Sequence, residues 1–215
     1  MKKAVTKRTP EPTVRRLSRY YHLLKEYQQK GLEIASTTLI ADEMGLNSTQ
    51  VRKDIEYTKV HGKPKLGYRV DDLVKAIEKF LCYDSETQAV LAGVGNLGSA
   101  ILGYGRFKNY GLKIQSAFEN DPAKIGTSVQ GIKIHSIDRL PQVLKDKQIK
   151  IGIIAVPAEH AQAVADAMMN AGIKAIWNYA PINIQVKPGV AIEHAQLTMS
   201  LSVLSRKIQE IHIKS

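Results

Sequence analysis

Cysteine is almost missing from this chain: Cys82 stands alone among 215 residues. One thiol closes no intrachain disulfide and builds no cysteine-ligated zinc site, which suits a reducing compartment, so a cytoplasmic location and no metal are expected. Long apolar runs are missing too. Nothing reaches the roughly 18 residues of a spanning helix, so no membrane partner is expected. The basic start, Met1 to Pro12, has no apolar stretch behind it and does not read as a secretory signal. Negative charge is scarce, with 20 Asp+Glu against 31 Lys+Arg and a formal net charge of +11. Apolar residues are present in ordinary proportion at 44%, which excludes wholesale disorder.

The positive surplus is uneven. Residues 1–70 hold 15 Lys/Arg and 7 Asp/Glu, whereas residues 71–215 hold 16 and 13. A polyanionic partner, most simply nucleic acid, is therefore expected at the N-terminal third. We read a DNA-binding domain over 1–82, a nucleotide-binding domain over 83–196 and a terminal helix over 197–215, with the first boundary near Cys82–Glu86.

In the N-terminal third, Thr13 is a candidate N-cap. Val14, Leu17, Tyr20, Tyr21, Leu24 and Tyr27 then recur at helical spacing until Gly31. Ser36-Thr37 opens a short second helix that Gly45 ends, and Asn47-Ser48 opens a third, expected over Thr49 to Val60. Helix, tight turn, helix is a helix-turn-helix pattern. Val51 and Ile55 would pack inward from the third helix. Ser48, Thr49, Gln50, Arg52 and Lys53 lie on its N-terminal turns, where a recognition helix reads base edges. By donor geometry Arg52 suits guanine, Gln50 adenine and Lys53 a phosphate. A basic, glycine-punctuated stretch follows, with Lys63, Lys65 and Arg69 placed as phosphate contacts on a β-hairpin wing. Asp71 is read as the cap of a fourth helix. Together these elements predict a winged helix; the alternative is a generic helical bundle with solvated charges.

The remaining two-thirds alternate strand and helix. Ala89–Ala92 is a buried-strand run that leads into Gly93-Val94-Gly95-Asn96-Leu97-Gly98 and then into a helix. This is G-x-G-x-x-G in the context it requires. Gly93 makes the tight turn, Gly95 lets a pyrophosphate approach, and Gly98 lets the helix pack on the sheet. Lys113–Phe118 is a strand ending at Glu119, 21 residues beyond Gly98, where a ribose-binding acid belongs. A carboxylate there favours NAD(H) over NADP(H). Asn120, Asp121 and Lys124 are counted with it, although Glu119 and Asp121 also fit a turn or helix cap. Further strands are read at Lys133–His135, Lys150–Val156 and Lys174–Asn178. Such β/α alternation predicts a doubly wound parallel sheet of Rossmann type. Val156-Pro157 and Asn178-Tyr179-Ala180-Pro181 sit at carboxyl ends of strands, where these sheets bind ligands.

No catalytic residue is assigned. A hydride-transfer enzyme needs a substrate domain and an acid–base group, and the nucleotide fold takes up these residues. His160 and His194 stand isolated and read as surface or structural histidines. Tyr104 either reaches the nicotinamide pocket or packs in the core. A small NAD-dependent oxidoreductase, or a regulator of another nucleotide such as CoA, are the alternative readings. In the last segment Leu197, Leu201, Leu204, Ile208 and Ile211 form a narrow apolar seam. It covers its own domain or, as favoured here, joins a second subunit.

These pieces together resemble the redox-sensing transcriptional repressor family Rex, along nearly the whole chain. The resemblance rests on Arg16-Leu17 and Tyr20-Tyr21, Val51-Arg52-Lys53-Asp54, Gly67-Tyr68 with Val70, Gly93–Gly98, Val156-Pro157, Ala171–Lys174 and Asn178–Pro181. It implies a homodimer with exchanged terminal helices and NAD(H) bound near the subunit interface. It also implies an operator-bound state that NAD⁺ permits and NADH releases, at genes of anaerobic or fermentative metabolism. Arg16 joins the DNA-binding set on the same ground. Four features depart from the family pattern. Glu56–Lys59 replaces a Ser-Tyr-Phe-Gly run, Glu119 and Tyr179 replace Asp and Phe, and Gln196 falls where an Asp would pair with Arg16.

Overall fold

The computed structural model describes residues 9–145, 149–195 and 197–214, and the chain divides into two compact units, residues 1–85 and 86–215. The first unit opens with α1 (Glu11–Gln29), followed by β1 (Ile34–Ala35), α2 (Thr37–Met44), α3 (Ser48–Glu56), β2 (Tyr68–Arg69) and α4 (Val70–Phe80). Leu17, Tyr20, Leu24, Ile40, Val51, Ile55, Leu73 and Ile77 are buried and make its core. β1 and β2 pair antiparallel, Ile34 with Arg69 and Ala35 with Tyr68. A tight turn, closed by reciprocal Lys63–Gly67 backbone bonds of 2.7 and 3.0 Å, completes the wing.

Pro10, not Thr13, is the N-cap of α1; Thr13 lies inside the helix and is buried. Val14 is exposed rather than inward. α3 ends at Glu56, four residues earlier than expected, because Tyr57, Thr58 and Lys59 donate three residues back instead of four and Lys59 takes a positive φ. Arg69 precedes α4, and Asp71 sits in the first turn, accepting from Gln28.

The second unit is a seven-stranded sheet. Its strands are β3 (Thr87–Ala92), β4 (Leu112–Glu119), β5 (Ser128–Val129), β6 (Ile132–Ser136), β7 (Ile151–Ile154), β8 (Ala175–Asn178) and β9 (Ala191–His194), and its order is β5-β6-β4-β3-β7-β8-β9. All pairings are parallel except β5 with β6. The helices are α5 (Asn96–Gly103), α6 (Leu140–Lys145), α7 (Ala158–Asn170) and α8 (Leu197–Lys214). Two apolar clusters form its core, one around Phe118, Leu140, Ile154 and Met168, the other around Leu91, Ile101, Ala117 and Ile153. This is the doubly wound architecture expected from β/α alternation. The winding reverses at β3, whose neighbours β4 and β7 lie on opposite sides, so the crevice opens at the carboxyl ends of β3 and β7. Two strands escaped the sequence reading. β5 has two residues, and β9 joins β8 without an intervening helix.

Candidate nucleic-acid interface and dinucleotide pocket

The helix-turn-helix is set by caps. Ser36 accepts from the Leu39 amide at 3.0 Å to start α2, Gly45 ends it in the left-handed conformation, and Asn47 accepts from the Thr49 amide at 2.8 Å to start α3. Val51 and Ile55 face inward, while Thr49, Arg52 and Lys53 are exposed and Ser48 is partly so. Lys63, Lys65 and Arg69 are exposed on the wing. Arg69 lies 3.8 Å from Asp72, an exposed pair that carries little energy.

Two candidate DNA contacts are engaged inside the unit. Arg16 donates to the buried carboxylate of Asp54 from Nε at 2.6 Å and Nη2 at 2.8 Å. Gln50 donates to the same carboxylate at 3.0 Å, as do Tyr20 at 2.9 Å and Thr13 at 3.1 Å. Burial pushes the Asp54 carboxyl up, but the hydrogen bonds from Arg16, Tyr20 and Gln50 outweigh it and hold the group below the usual carboxylate range. Burial, with the Asp54 bond, raises the Tyr20 phenol. The amide of Gln50 is therefore engaged by Asp54, one turn further along α3. Gln196, expected opposite Arg16, lies outside the described residues.

At the carboxyl ends of β3, β4 and β7 lies a cavity of about 580 Å³. Gly93, Gly95, Asn96 and Leu97 line it from the glycine loop, Glu119 and Asn120 from the end of β4, Val156 and Pro157 from the end of β7, and Tyr179 and Pro181 from beyond β8. The glycines divide their roles sharply. A side chain at Gly98 would stand 1.8 Å from the Gly93 carbonyl oxygen, so helix and loop require glycine there. At Gly93, with φ near +93°, a side chain would meet the Ala155 backbone at 2.5 Å. At Gly95 nothing lies within 4 Å. That open cradle, at the amino end of α5, fits the diphosphate of a dinucleotide.

Glu119 accepts from the Val94 amide and the Asn120 amide, each at 2.7 Å, and from Asp121 at 3.3 Å. Partial burial raises its carboxyl, but these amides outweigh burial and hold it below its ordinary range, so it stays ionised at the pocket edge. Lys124 braces the loop by donating to the Val94 carbonyl at 3.2 Å. Asp121 accepts from the Ala123 amide as a turn cap. Asn178 is buried and does not line the cavity; its amide ties the Ala180 and Ile182 carbonyls and His194 together, which shapes the Tyr179–Pro181 segment. Ala180 is buried beside it. Tyr104 is exposed, also off the cavity wall, and packs edge-on against Phe107. Phe107 meets Trp177, which meets Tyr179. The sequence reading missed Phe118, Ile137, His160 and Val164 on the cavity wall. Helical spacing from Pro157 pointed to the last two, but carried no chemical signature.

Both parts of the chain match known protein families. Residues 8–55 match a family described as "Putative DNA-binding protein N-terminus", and residues 84–182 match one described as "CoA binding domain". A redox-sensing transcriptional repressor Rex from Treponema denticola is 42% identical over 193 residues, covering 90% of this chain and 92% of the relative. Another from Bacteroides thetaiotaomicron is 36% identical, covering 96% and 94%. The crystal structure of RSP, a Rex-family repressor, superposes with a TM-score of 0.89 at 29% identity, covering 97% of each chain. RSP in complex with β-NAD⁺ and operator DNA superposes at 0.90, and RSP in complex with β-NADH at 0.88. Similarity of this strength along almost the full length of both chains places the protein in the Rex family of redox-sensing transcriptional repressors.

Proposed function

We propose that the chain is a repressor that binds operator DNA through residues 1–82 and NAD(H) through the glycine-loop cavity, with NADH releasing the DNA. The observation that carries the reading is the coexistence of an open phosphate cradle at Gly95 and an exposed Arg52–Lys53 pair on a recognition helix in one chain of this family. Gly95 and Asn96 would hold the diphosphate and Glu119 the adenosine ribose. Val156, Pro157 and Tyr179 would flank the remainder. Bound NAD(H) supplies a two-electron redox couple, and the chain's own work is to tell its two forms apart and convert the difference into DNA affinity. Such conversion requires NADH to bind the DNA-incompetent state more tightly.

The protein acts as a regulator and not as an enzyme, a reading supported by relatives that are named as repressors. It works in the cytoplasm, where a bacterial repressor meets its operator, and as a homodimer, since α8 exposes Leu201, Leu204, Ile208 and Ile211 along one seam. A CoA-responsive regulator is the second reading, prompted by the family match over residues 84–182. The deciding experiment is operator binding at fixed salt with saturating NADH, NAD⁺ or CoA. Release by NADH alone is expected; release by CoA alone would select the second reading.

A further inference from the structure

His160 stands in the first turn of α7 and lines the same cavity as the glycine loop and Glu119. Val164, four residues on, lines it as well, while the intervening Ala161 is turned into the core. The cavity-facing stripe of α7 is thus His160 over Val164. Val164 is buried and His160 exposed, so the valine lies deep and the imidazole at the mouth. Ile137, just past β6, contributes a third wall. Across the sheet order β6-β4-β3-β7, the strand ends present Ile137, Glu119, Gly93 and Pro157 in that sequence. A diphosphate at the amino end of α5 and a ribose at Glu119 leave the base of that ribose in the slot between Ile137 and the α7 stripe.

We propose that His160 is a ligand-contacting residue whose imidazole lies against the face of this purine base and closes the slot over it. The proposal rests on the reading that the cavity takes NAD(H). A flat aromatic ring over a base contributes through π contact that tolerates the exact ring, so what matters at position 160 is planarity and not charge.

The test is calorimetry on the full chain with NADH and with ADP-ribose, which keeps the adenosine half and lacks nicotinamide. Wild type should bind both. His160→Ala should weaken both by the same factor, roughly five- to hundredfold, the range seen when one stacked aromatic partner is removed. His160→Phe should stay within about twofold of wild type, and His160→Lys should resemble alanine. Unchanged ADP-ribose affinity in His160→Ala overturns the assignment while leaving the NAD(H) reading intact. Retention by lysine but not phenylalanine overturns it in favour of a charge contact with the diphosphate. If wild type binds neither probe, the NAD(H) reading fails and the assignment with it.

Discussion

Arg16 and Asp54 form a two-pronged ion pair, Nε to Oδ2 at 2.6 Å and Nη2 to Oδ1 at 2.8 Å, that ties α1 to the recognition helix. Asp54 is 1% exposed and accepts from five donors on four residues. A buried carboxylate is tolerable only when its lone pairs are filled, and here they are filled by side chains of α1 and α3. The placement of Arg52 and Lys53 on α3 thus depends on a neighbour in sequence that is itself buried.

Breaking this pair should be costly. Asp54→Asn removes the charge that Arg16, Tyr20, Gln50 and Thr13 converge on, and about 3 kcal/mol of unfolding free energy should be lost. Denaturant unfolding with an unchanged m-value measures it. The pH dependence has a definite sign. The folded carboxyl of Asp54 lies below its unfolded value of about 3.9. Its stabilisation is therefore complete above about pH 4 and is lost as pH falls through the folded value. Asp54→Asn should flatten the acid limb of the stability profile, and an unaltered limb would show that other carboxylates dominate it.

On the operator, the recognition helix and the wing should behave differently. Arg52→Ala should relax base preference at one position by about 1–3 kcal/mol, while Lys63→Ala weakens all sequences alike and reduces the salt slope by about one. Gln50→Ala should act on unfolding as well as on DNA, because its amide is spent on Asp54. Binding to operator and random duplexes across a salt series separates these cases. Equal losses on both duplexes for Arg52→Ala would remove its base-reading role.

The glycine loop, the helix-turn-helix caps and the core strands were legible because each rests on short-range chemistry: a positive φ, an N-cap, a run of buried β-branched residues. What was hidden depends on which of several partners a polar side chain takes once the chain is folded. Gln50 sits on the right turn of the right helix, yet its partner Asp54 is shared with α1. Asn178 sits at a strand end where ligands bind, yet its amide is consumed by Ala180, Ile182 and His194. β9 has no crossover helix to announce a parallel strand, so Ala191–His194 carried no strand signal of its own. His160 has no motif, and only the packing of α7 places it on the cavity.

Cofactor choice should separate along Glu119 and Gly95. An ionised Glu119, held by the Val94 and Asn120 amides, would face the extra phosphate of NADPH, so NADH should bind much more tightly. Gly95→Ala should abolish NADH binding without altering thermal stability appreciably, since the space at that position is open. Gly98→Ala should instead destabilise the unit by about 1–3 kcal/mol or more through its clash with the Gly93 carbonyl. Calorimetry beside thermal melts distinguishes the two glycines. NADPH affinity equal to that of NADH would mean that Glu119 serves only to cap the loop.

The terminal helix supplies the last prediction. Leu201, Leu204, Ile208 and Ile211 are each at least 45% exposed and fall on one seam of α8. A seam of this length left in water is unfavourable, and pairing with a second subunit removes it. Leu204→Glu places a charge where apolar partners would meet, and a buried unpaired carboxylate is strongly disfavoured. Sedimentation should show monomer for this variant at concentrations where wild type is dimeric. Gln209→Glu adds the same charge off the seam and should leave the dimer intact. Operator affinity should fall with the dimer, because one recognition helix then has no partner for the half-site roughly 34–36 Å away. NADH binding measured in parallel tells whether the cavity is complete within one chain. A dimer unaffected by Leu204→Glu would mean that the helix does not mediate the association.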